Sequence, residues 1–196
     1  MLRLAGELSE WSPRFFSNET QGIFPSGMTW LFGITWLPLP FGAWFAWKLL
    51  AAGEAPPGSA LTVFRYGVLG ALLAVAGLRF VVPAVPIPFP PLLLLIWAFM
   101  VAGAAIAWRA WPQLGRTLLA YGIAARVPVA VVMLLAMIGQ WGTHYDYVGV
   151  APAQAMPLLA RYLWLGFFPQ LVFWVAFTIV LGFIGGGILT LLRRLR

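Results

Sequence analysis

Long apolar stretches constrain this chain more than any other feature of its sequence. Five of them are long enough to cross a bilayer, which takes roughly 20 mostly apolar residues at about 1.5 Å each. Runs such as PPLLLLIWAFMVAGAAIAW do not alternate between polar and apolar residues, as the strands of a membrane barrel do. The sequence therefore predicts an all-α integral membrane protein, a bundle of about five transmembrane helices. The predicted spans are 28–50, 61–82, 91–108, 118–140 and 163–191.

Composition indicates the same class independently of the spans. Hydrophobic residues make up 62% of the 196 residues and charged residues only 9%, a balance that soluble domains of this length do not have. We divide the chain into an extracytoplasmic tail, 1–27, a single transmembrane domain, 28–192, and a basic cytoplasmic end, 193–196. The tail contains no apolar core of the kind found in signal peptides, so we expect the first span to direct insertion.

The distribution of Lys and Arg predicts the orientation. Cytoplasmic loops carry an excess of basic residues, and here these residues flank the first and third connections and end the chain. We therefore expect the N-terminus outside and the C-terminus inside, in a bacterial cytoplasmic membrane. The lipid bilayer is the expected partner, with a protein partner or a second copy of the chain as alternatives. Because the basic residues are scattered between the spans, the net charge of +7 does not indicate nucleic-acid binding.

Prolines inside two spans predict irregular backbone within the membrane. Pro38 and Pro40 fall near the middle of the first predicted span, and Pro169 precedes Gln170 near the outer end of the last. Proline lacks a backbone donor and kinks a helix, and the carbonyls that it frees must be covered by a neighbour, water or a ligand. Two interpretations stay open: a structural kink, or part of a binding site.

Small residues at helical spacing predict where helices approach one another closely. In the second span they thin one side of the helix, and in the last span they form a GxxxG pattern. We interpret both groups as contacts between helices of one bundle, in preference to contacts between two copies in a dimer. The residues are Gly67, Gly70, Ala74, Gly182 and Gly186.

Arg126 is the most informative charged residue, because it falls inside the fourth predicted span. An arginine at the bilayer centre costs at least about 2.5–3.5 kcal/mol unless it is paired or reaches the interface. No acidic residue lies within any of the five predicted spans. One hypothesis is a snorkelled or internally hydrogen-bonded side chain; the other is a fixed charge that binds an anionic substrate or lipid headgroup. Tyr121 and Gln170 are the neutral candidates for the same binding site.

The segment QWGTHYDYVG contains the only histidine, His144, and the only aspartate, Asp146. Such a pair can orient a proton acceptor or supply two metal ligands. The sequence offers no third ligand and no nucleophile beside them, so a turn stabilised by Asp146 is the more ordinary role. A catalytic role requires both side chains to converge on a pocket with a polar partner such as Gln140 or Gln170. We predict no metal site, and the sequence implies no cofactor.

Three functions follow as hypotheses. The first is a non-enzymatic accessory or structural subunit of a membrane assembly, which the shortage of catalytic groups favours. The second is a small permease-like or lipid- and anion-binding protein that uses Arg126 and the kinked first and last spans. The third is a membrane enzyme with an outer-surface site at His144 and Asp146.

Overall fold

A computed structural model describes residues 2–16, 20–21, 24–25, 33–149 and 151–194. The chain forms an all-α membrane bundle, as the sequence predicts. Four of the described helical segments are long and apolar enough to cross a membrane. They are Ala60–Ala84, Pro91–Trp108, Pro112–Gly139 and Leu158–Arg194.

Short elements precede the bundle. Helix α1 is Leu2–Leu8 and helix α2 is Pro13–Phe16. Two strands of two residues each, β1 (Thr20–Gln21) and β2 (Phe24–Pro25), pair in antiparallel fashion.

The first predicted span differs from the structure. Helix α3 is Pro38–Ala51, and its 14 residues extend about 21 Å, less than the roughly 30 Å of a hydrocarbon core. Residues 28–32 of the predicted span lie outside the described residues, so the count of five spans stays a prediction. The irregular backbone expected in this span takes the form of a break: the described residues 33–37 are bends and a turn, and the helix begins at Pro38, with Pro38 and Pro40 in its first turn. Proline is well suited to that turn, where backbone N–H groups have no partner within the helix.

The remaining elements follow in chain order. Helix α4 is Ala60–Ala76 and is capped by Ser59, whose side chain accepts a hydrogen bond from the Thr62 amide. A π-type turn, Gly77–Val81, and a 3-10 turn, Val82–Ala84, continue it. Then come α5 (Pro91–Trp108), α6 (Pro112–Gly139), α7 (Ala151–Gln154), α8 (Leu158–Tyr162) and α9 (Trp174–Arg194). Two wide, π-type turns, Leu163–Phe167 and Pro169–Phe173, join α8 to α9.

Helix α9 is the centre of the bundle. In the most apolar part of Leu158–Arg194, the helical segment that contains α9, 61% of the residues are buried, against 22% in Ala60–Ala84 and in Pro112–Gly139 and 28% in Pro91–Trp108. The other long helices and α3 all pack against it. The outer helices therefore present most of their surface to lipid, and α9 presents most of its surface to protein.

Glycines permit the closest helix contacts. A Cβ atom on Gly42 of α3 would collide with the backbone of Gly182 in α9, and one on Gly70 of α4 would collide with the backbone of Gly103 in α5. Of the other small residues singled out by their spacing, Gly67, Ala74 and Gly186 are also buried between helices. Small side chains let helix backbones touch, which is how bundles pack in lipid.

Candidate functional site

Arg126 lies close to the midpoint of α6, a helix of 28 residues. Since such a helix is about 42 Å long, either end is roughly 20 Å away along the axis. Only 4% of the residue is exposed. The side chain is therefore held inside the bundle. It is internally hydrogen-bonded and does not snorkel to the membrane interface.

The guanidinium group contacts two residues of the neighbouring helical segment. Its Nη1 atom donates a hydrogen bond to Oε1 of Gln170 at 3.4 Å, and its central carbon lies 4.8 Å from the centroid of the Trp174 ring. The hydrogen bond is long, since N–H···O bonds usually span 2.7–3.2 Å. The contact with the indole face is a cation–π interaction. The charge is thus held by a weak hydrogen bond and an aromatic surface.

Part of the guanidinium has no hydrogen-bond partner among the described residues. Its Nε atom is buried and makes no hydrogen bond with any residue that the structure describes. No ion pair of Arg126 is present among the described residues either. A buried donor without a partner costs about 1–3 kcal/mol, and more for a charged group, so this arginine is an expensive feature of the fold.

Gln170 is oriented by its surroundings. Its Nε2 atom donates to the Met133 sulfur at 3.4 Å, which directs the amide oxygen towards Arg126. The residue lies in the wide turn Pro169–Phe173 and is 8% exposed. Pro169 lacks the N–H group that a regular helix requires, and wide turns of this type occur often at functional sites.

Tyr121 lies on α6 near Arg126, with which it interacts electrostatically, but no hydrogen bond joins the two. Its ring stacks on Phe41 of α3, with centroids 5.0 Å apart, and meets the edge of Phe45 at 5.4 Å. Of the three predicted site residues, the structure brings Arg126 and Gln170 into contact, whereas the ring of Tyr121 packs against α3. Pro38 and Pro40 lie at the start of α3, in the same helix as the two phenylalanines.

A groove of about 480 Å³ opens between α5, α6 and the α9 segment, the continuous helical stretch Leu158–Arg194. Its lining is apolar and includes Ala104, Leu119, Val175 and Ile179. Arg126 is not among the lining residues, so the groove does not lead to the guanidinium in this conformation.

The histidine and the aspartate of the loop after α6 have different partners. His144 faces Glu7 of α1: Nδ1 lies 2.8 Å from Oε2, and the His144 backbone N–H donates to the same oxygen at 3.0 Å. Asp146 instead accepts hydrogen bonds from the Gly142 and Thr143 amides and from the Thr143 hydroxyl. It forms a turn of the type that aspartate favours.

The predicted convergence with Gln140 or Gln170 is not found. Gln170 contacts Arg126 and Met133, and Gln140 lies exposed at the end of α6. In the part of the chain that the structure describes, no three His, Asp or Glu side chains come close enough together to hold a metal ion.

Burial and the contact between Glu7 and His144 together shift the pKa of both groups. Burial alone would raise the pKa of Glu7, but hydrogen bonds from His144 and Arg3, together with the charge of His144, outweigh it and lower that pKa below its ordinary value. Burial lowers the pKa of His144 and outweighs the opposing hydrogen bond to Glu7. Arg3 also donates to Glu7 at 2.8 Å. These contacts hold α1 against the loop.

The sequence did not indicate three of these partners. Glu7 is 137 residues from His144, and no local pattern links residues so far apart. Met133 has no distinguishing context. Trp174 had a usable signal, because it follows Gln170 by one helical turn and so lies on the same face.

No family model, curated protein or solved structure matches this chain.

Proposed function

We propose that this protein binds an anionic group at Arg126 within the membrane, as a small permease-like or lipid-binding protein. One observation carries the proposal: a guanidinium group 4% exposed, near the middle of a transmembrane helix, whose charge meets no carboxylate among the described residues. Buried charges in proteins are usually paired or serve a function. An anion is the partner that compensates this charge.

The surroundings of Arg126 support a binding role over a purely structural one. A structural arginine is normally held by several short hydrogen bonds that satisfy its donors. With the residues that the structure describes, this one makes a single bond at 3.4 Å, and its Nε makes none. The wide turn beside it introduces backbone irregularity at the same place, a combination that transporters use to build sites within the membrane.

Ligand-dependent stabilisation of the purified protein tests this proposal. In a non-ionic detergent, we expect at least one anionic amphiphile from a panel of dodecanoate, dodecyl phosphate and phosphatidylglycerol to raise the unfolding temperature. A ligand at a hundred times its Kd stabilises by about 2.7 kcal/mol. The Arg126→Gln variant should lose this stabilisation because it lacks the charge.

Arg116→Gln is the matched control. Arg116 lies on the same helix, but its side chain is exposed and donates to Gln113 at 2.9 Å. This variant should respond to the panel as the wild type does. Equal stabilisation of wild type and Arg126→Gln by every anion would contradict the proposal.

An accessory or structural subunit of a membrane assembly is our second proposal. The open apolar groove between α5, α6 and the α9 segment supports it, because such walls suit the side chains of a neighbouring transmembrane helix. They suit lipid acyl chains equally well, so the groove does not separate the two functions. A native mass spectrum does: a stoichiometric polypeptide partner supports the subunit, and a retained anion or lipid supports the binding protein.

We also propose a bacterial cytoplasmic membrane as the location, with the N-terminus outside and the C-terminus inside. The basic residues at Arg109, Arg116, Arg193 and Arg194 support this orientation, since they lie at the ends of the helices that would face the cytoplasm. The enzyme hypothesis is not proposed, because Asp146 is bound to its own loop and His144 is bound to Glu7.

A further inference from the structure

The charge balance around Arg126 limits the kind of anion that can bind there. The helices that surround it carry no second charge at its level: α9 has no ionisable side chain between Trp174 and its last turn, and α3 has only Lys48, near its end. Arg116 is exposed towards the start of α6, and Arg161 is engaged by the carbonyls of Gln154 and Met156.

A single positive charge is neutralised by a single negative charge. A monoanion at Arg126 produces a neutral pair, whereas a dianion leaves one negative charge without compensation in a region of low dielectric constant. Burying an uncompensated charge costs several kcal/mol even after relaxation. The site therefore discriminates against doubly charged phosphate groups.

The geometry of the free donors limits the head of the ligand further. Nη1 donates to Gln170, and the central carbon of the group lies over the Trp174 ring. The edge formed by Nε and Nη2 makes no hydrogen bond with a described residue. Two parallel donors on one edge of a guanidinium match the two oxygens of a carboxylate.

The side chains in contact with the polar groups of the site are aromatic or apolar. Trp174 lies beside the guanidinium, and the sulfur of Met133 accepts a hydrogen bond from Gln170. A strongly hydrated anion would lose its water here without enough donors to replace it. An anion with an apolar body loses less and gains by burying that body.

Access requires the site to open, because Arg126 is almost fully buried. Gln170 contacts both Arg126 and Met133 at 3.4 Å. Both contacts are weak. A carboxylate that forms short, charge-assisted hydrogen bonds replaces the Gln170 contact with a stronger interaction.

Resting on the function proposed above, we infer that the ligand of Arg126 is a lipophilic monoanion with a carboxylate head and an apolar body, such as a fatty acid. The same chemistry also exists in small water-soluble carboxylates, and chain length separates the two sources.

The test compares four probes on the full-length protein in non-ionic detergent at mildly alkaline pH: dodecanoate, dodecyl phosphate, dodecanol and acetate. Titrations followed by unfolding temperature and by native mass spectrometry give the affinity of each. We expect dodecanoate to bind at least about tenfold more tightly than dodecyl phosphate, a difference of about 1.4 kcal/mol. Dodecanol and acetate should bind more weakly still.

Variants locate the binding. Arg126→Gln should abolish the dodecanoate response and Arg116→Gln should keep it. Arg126→Lys retains the charge without the paired donors, so it should fold and bind dodecanoate more weakly than the wild type. If Arg126→Gln fails to fold, Arg126→Lys replaces it in the comparison with the wild type.

The outcomes separate this inference from the proposed function. If dodecyl phosphate binds more tightly than dodecanoate in an Arg126-dependent way, the anion site stands and the monoanion inference is overturned. If acetate binds as tightly as dodecanoate, the inference that the ligand has an apolar body is overturned. If no probe depends on Arg126, both the inference and the proposed function are overturned.

Discussion

At the scale of single residues, Arg126 and Asp146 illustrate opposite uses of a charged side chain. Asp146 has three donors within 2.9 Å and organises its own loop. Within the described part of the chain, Arg126 makes one hydrogen bond at 3.4 Å and has a buried nitrogen without a partner. A well-satisfied group stabilises the fold, whereas an unsatisfied buried charge destabilises it and is retained for another reason.

This difference predicts the effect of Arg126→Met on stability in the absence of added ligand. Replacing a buried, poorly paired charge by an apolar side chain of similar volume removes its desolvation cost, so we expect the free energy of unfolding to rise by roughly 1 kcal/mol or more. Denaturant or thermal unfolding in one detergent measures the change.

Arg116→Met is the control for that measurement and should stay within about 0.5 kcal/mol of the wild type, because the side chain is exposed. A loss of stability in Arg126→Met would show instead that the contacts with Gln170 and Trp174 stabilise the fold more than the buried charge destabilises it.

At the scale of elements, the attachment of α1 to the loop after α6 depends on ionisable groups. The pKa of His144 in the folded protein is lower than its ordinary value of 6.5, and that of Glu7 is lower than 4.5. Each group therefore stabilises the docked state above its unfolded pKa. That contribution is lost as the pH falls through the folded pKa. Protonation of either group therefore weakens the attachment of α1 to the loop.

We accordingly expect amide exchange in α1, corrected for intrinsic rates, to accelerate as the pH falls below about 6.5, with a further increase below about 4.5. Loss of a hydrogen bond worth about 1 kcal/mol corresponds to about a fivefold increase. Hydrogen exchange with mass spectrometry measures it. His144→Gln should remove the first increase and keep the second; an exchange rate of α1 independent of pH would contradict the expectation.

The elements themselves were partly predictable. The predicted span 91–108 coincides with α5, because its apolar run is bounded by prolines and by Arg109. Helix α6 begins at Pro112 and not at residue 118, since its first turns contain polar residues that continue the helix beyond the apolar run. Hydropathy detects the part of a helix that is buried in lipid and misses the part that extends out of it.

The candidate site was predictable only in part, for a physical reason. Arg126 and Gln170 were identifiable because lipid makes polar side chains costly wherever they occur in a span. Their mutual contact, the role of Trp174 and the pairing of Glu7 with His144 depend on how distant segments pack. Periodicity within one segment contains no information about that packing.

At the scale of the whole molecule, the contact between α1 and the loop after α6 bears on topology. Consecutive membrane helices joined by short connections reverse direction, so we expect α4 to start on the membrane side opposite to that loop. Because α1 is attached to the loop, we expect the chain between α1 and α4 to cross the membrane. A fifth span that includes α3 stays a prediction, and the attachment of α1 favours it.

Cysteine labelling tests this topology directly, because the chain contains no cysteine and each variant carries a single reactive site. Ser9→Cys and Ala151→Cys should react with an impermeant maleimide from outside intact cells, and Ala55→Cys should react only after the membrane is opened. The three positions are exposed. Reaction of Ser9→Cys and Ala55→Cys from the same side would contradict a fifth crossing.

The central position of α9 also affects how the protein is made. Ribosomes deliver segments in chain order, so α4, α5 and α6 are made before α9, the helix against which they pack. Until α9 arrives, Gly42 of α3 and Gly67 of α4 have no backbone to meet, whereas Gly70 of α4 can already meet Gly103 of α5. The interior of the bundle therefore forms only when α9 is inserted.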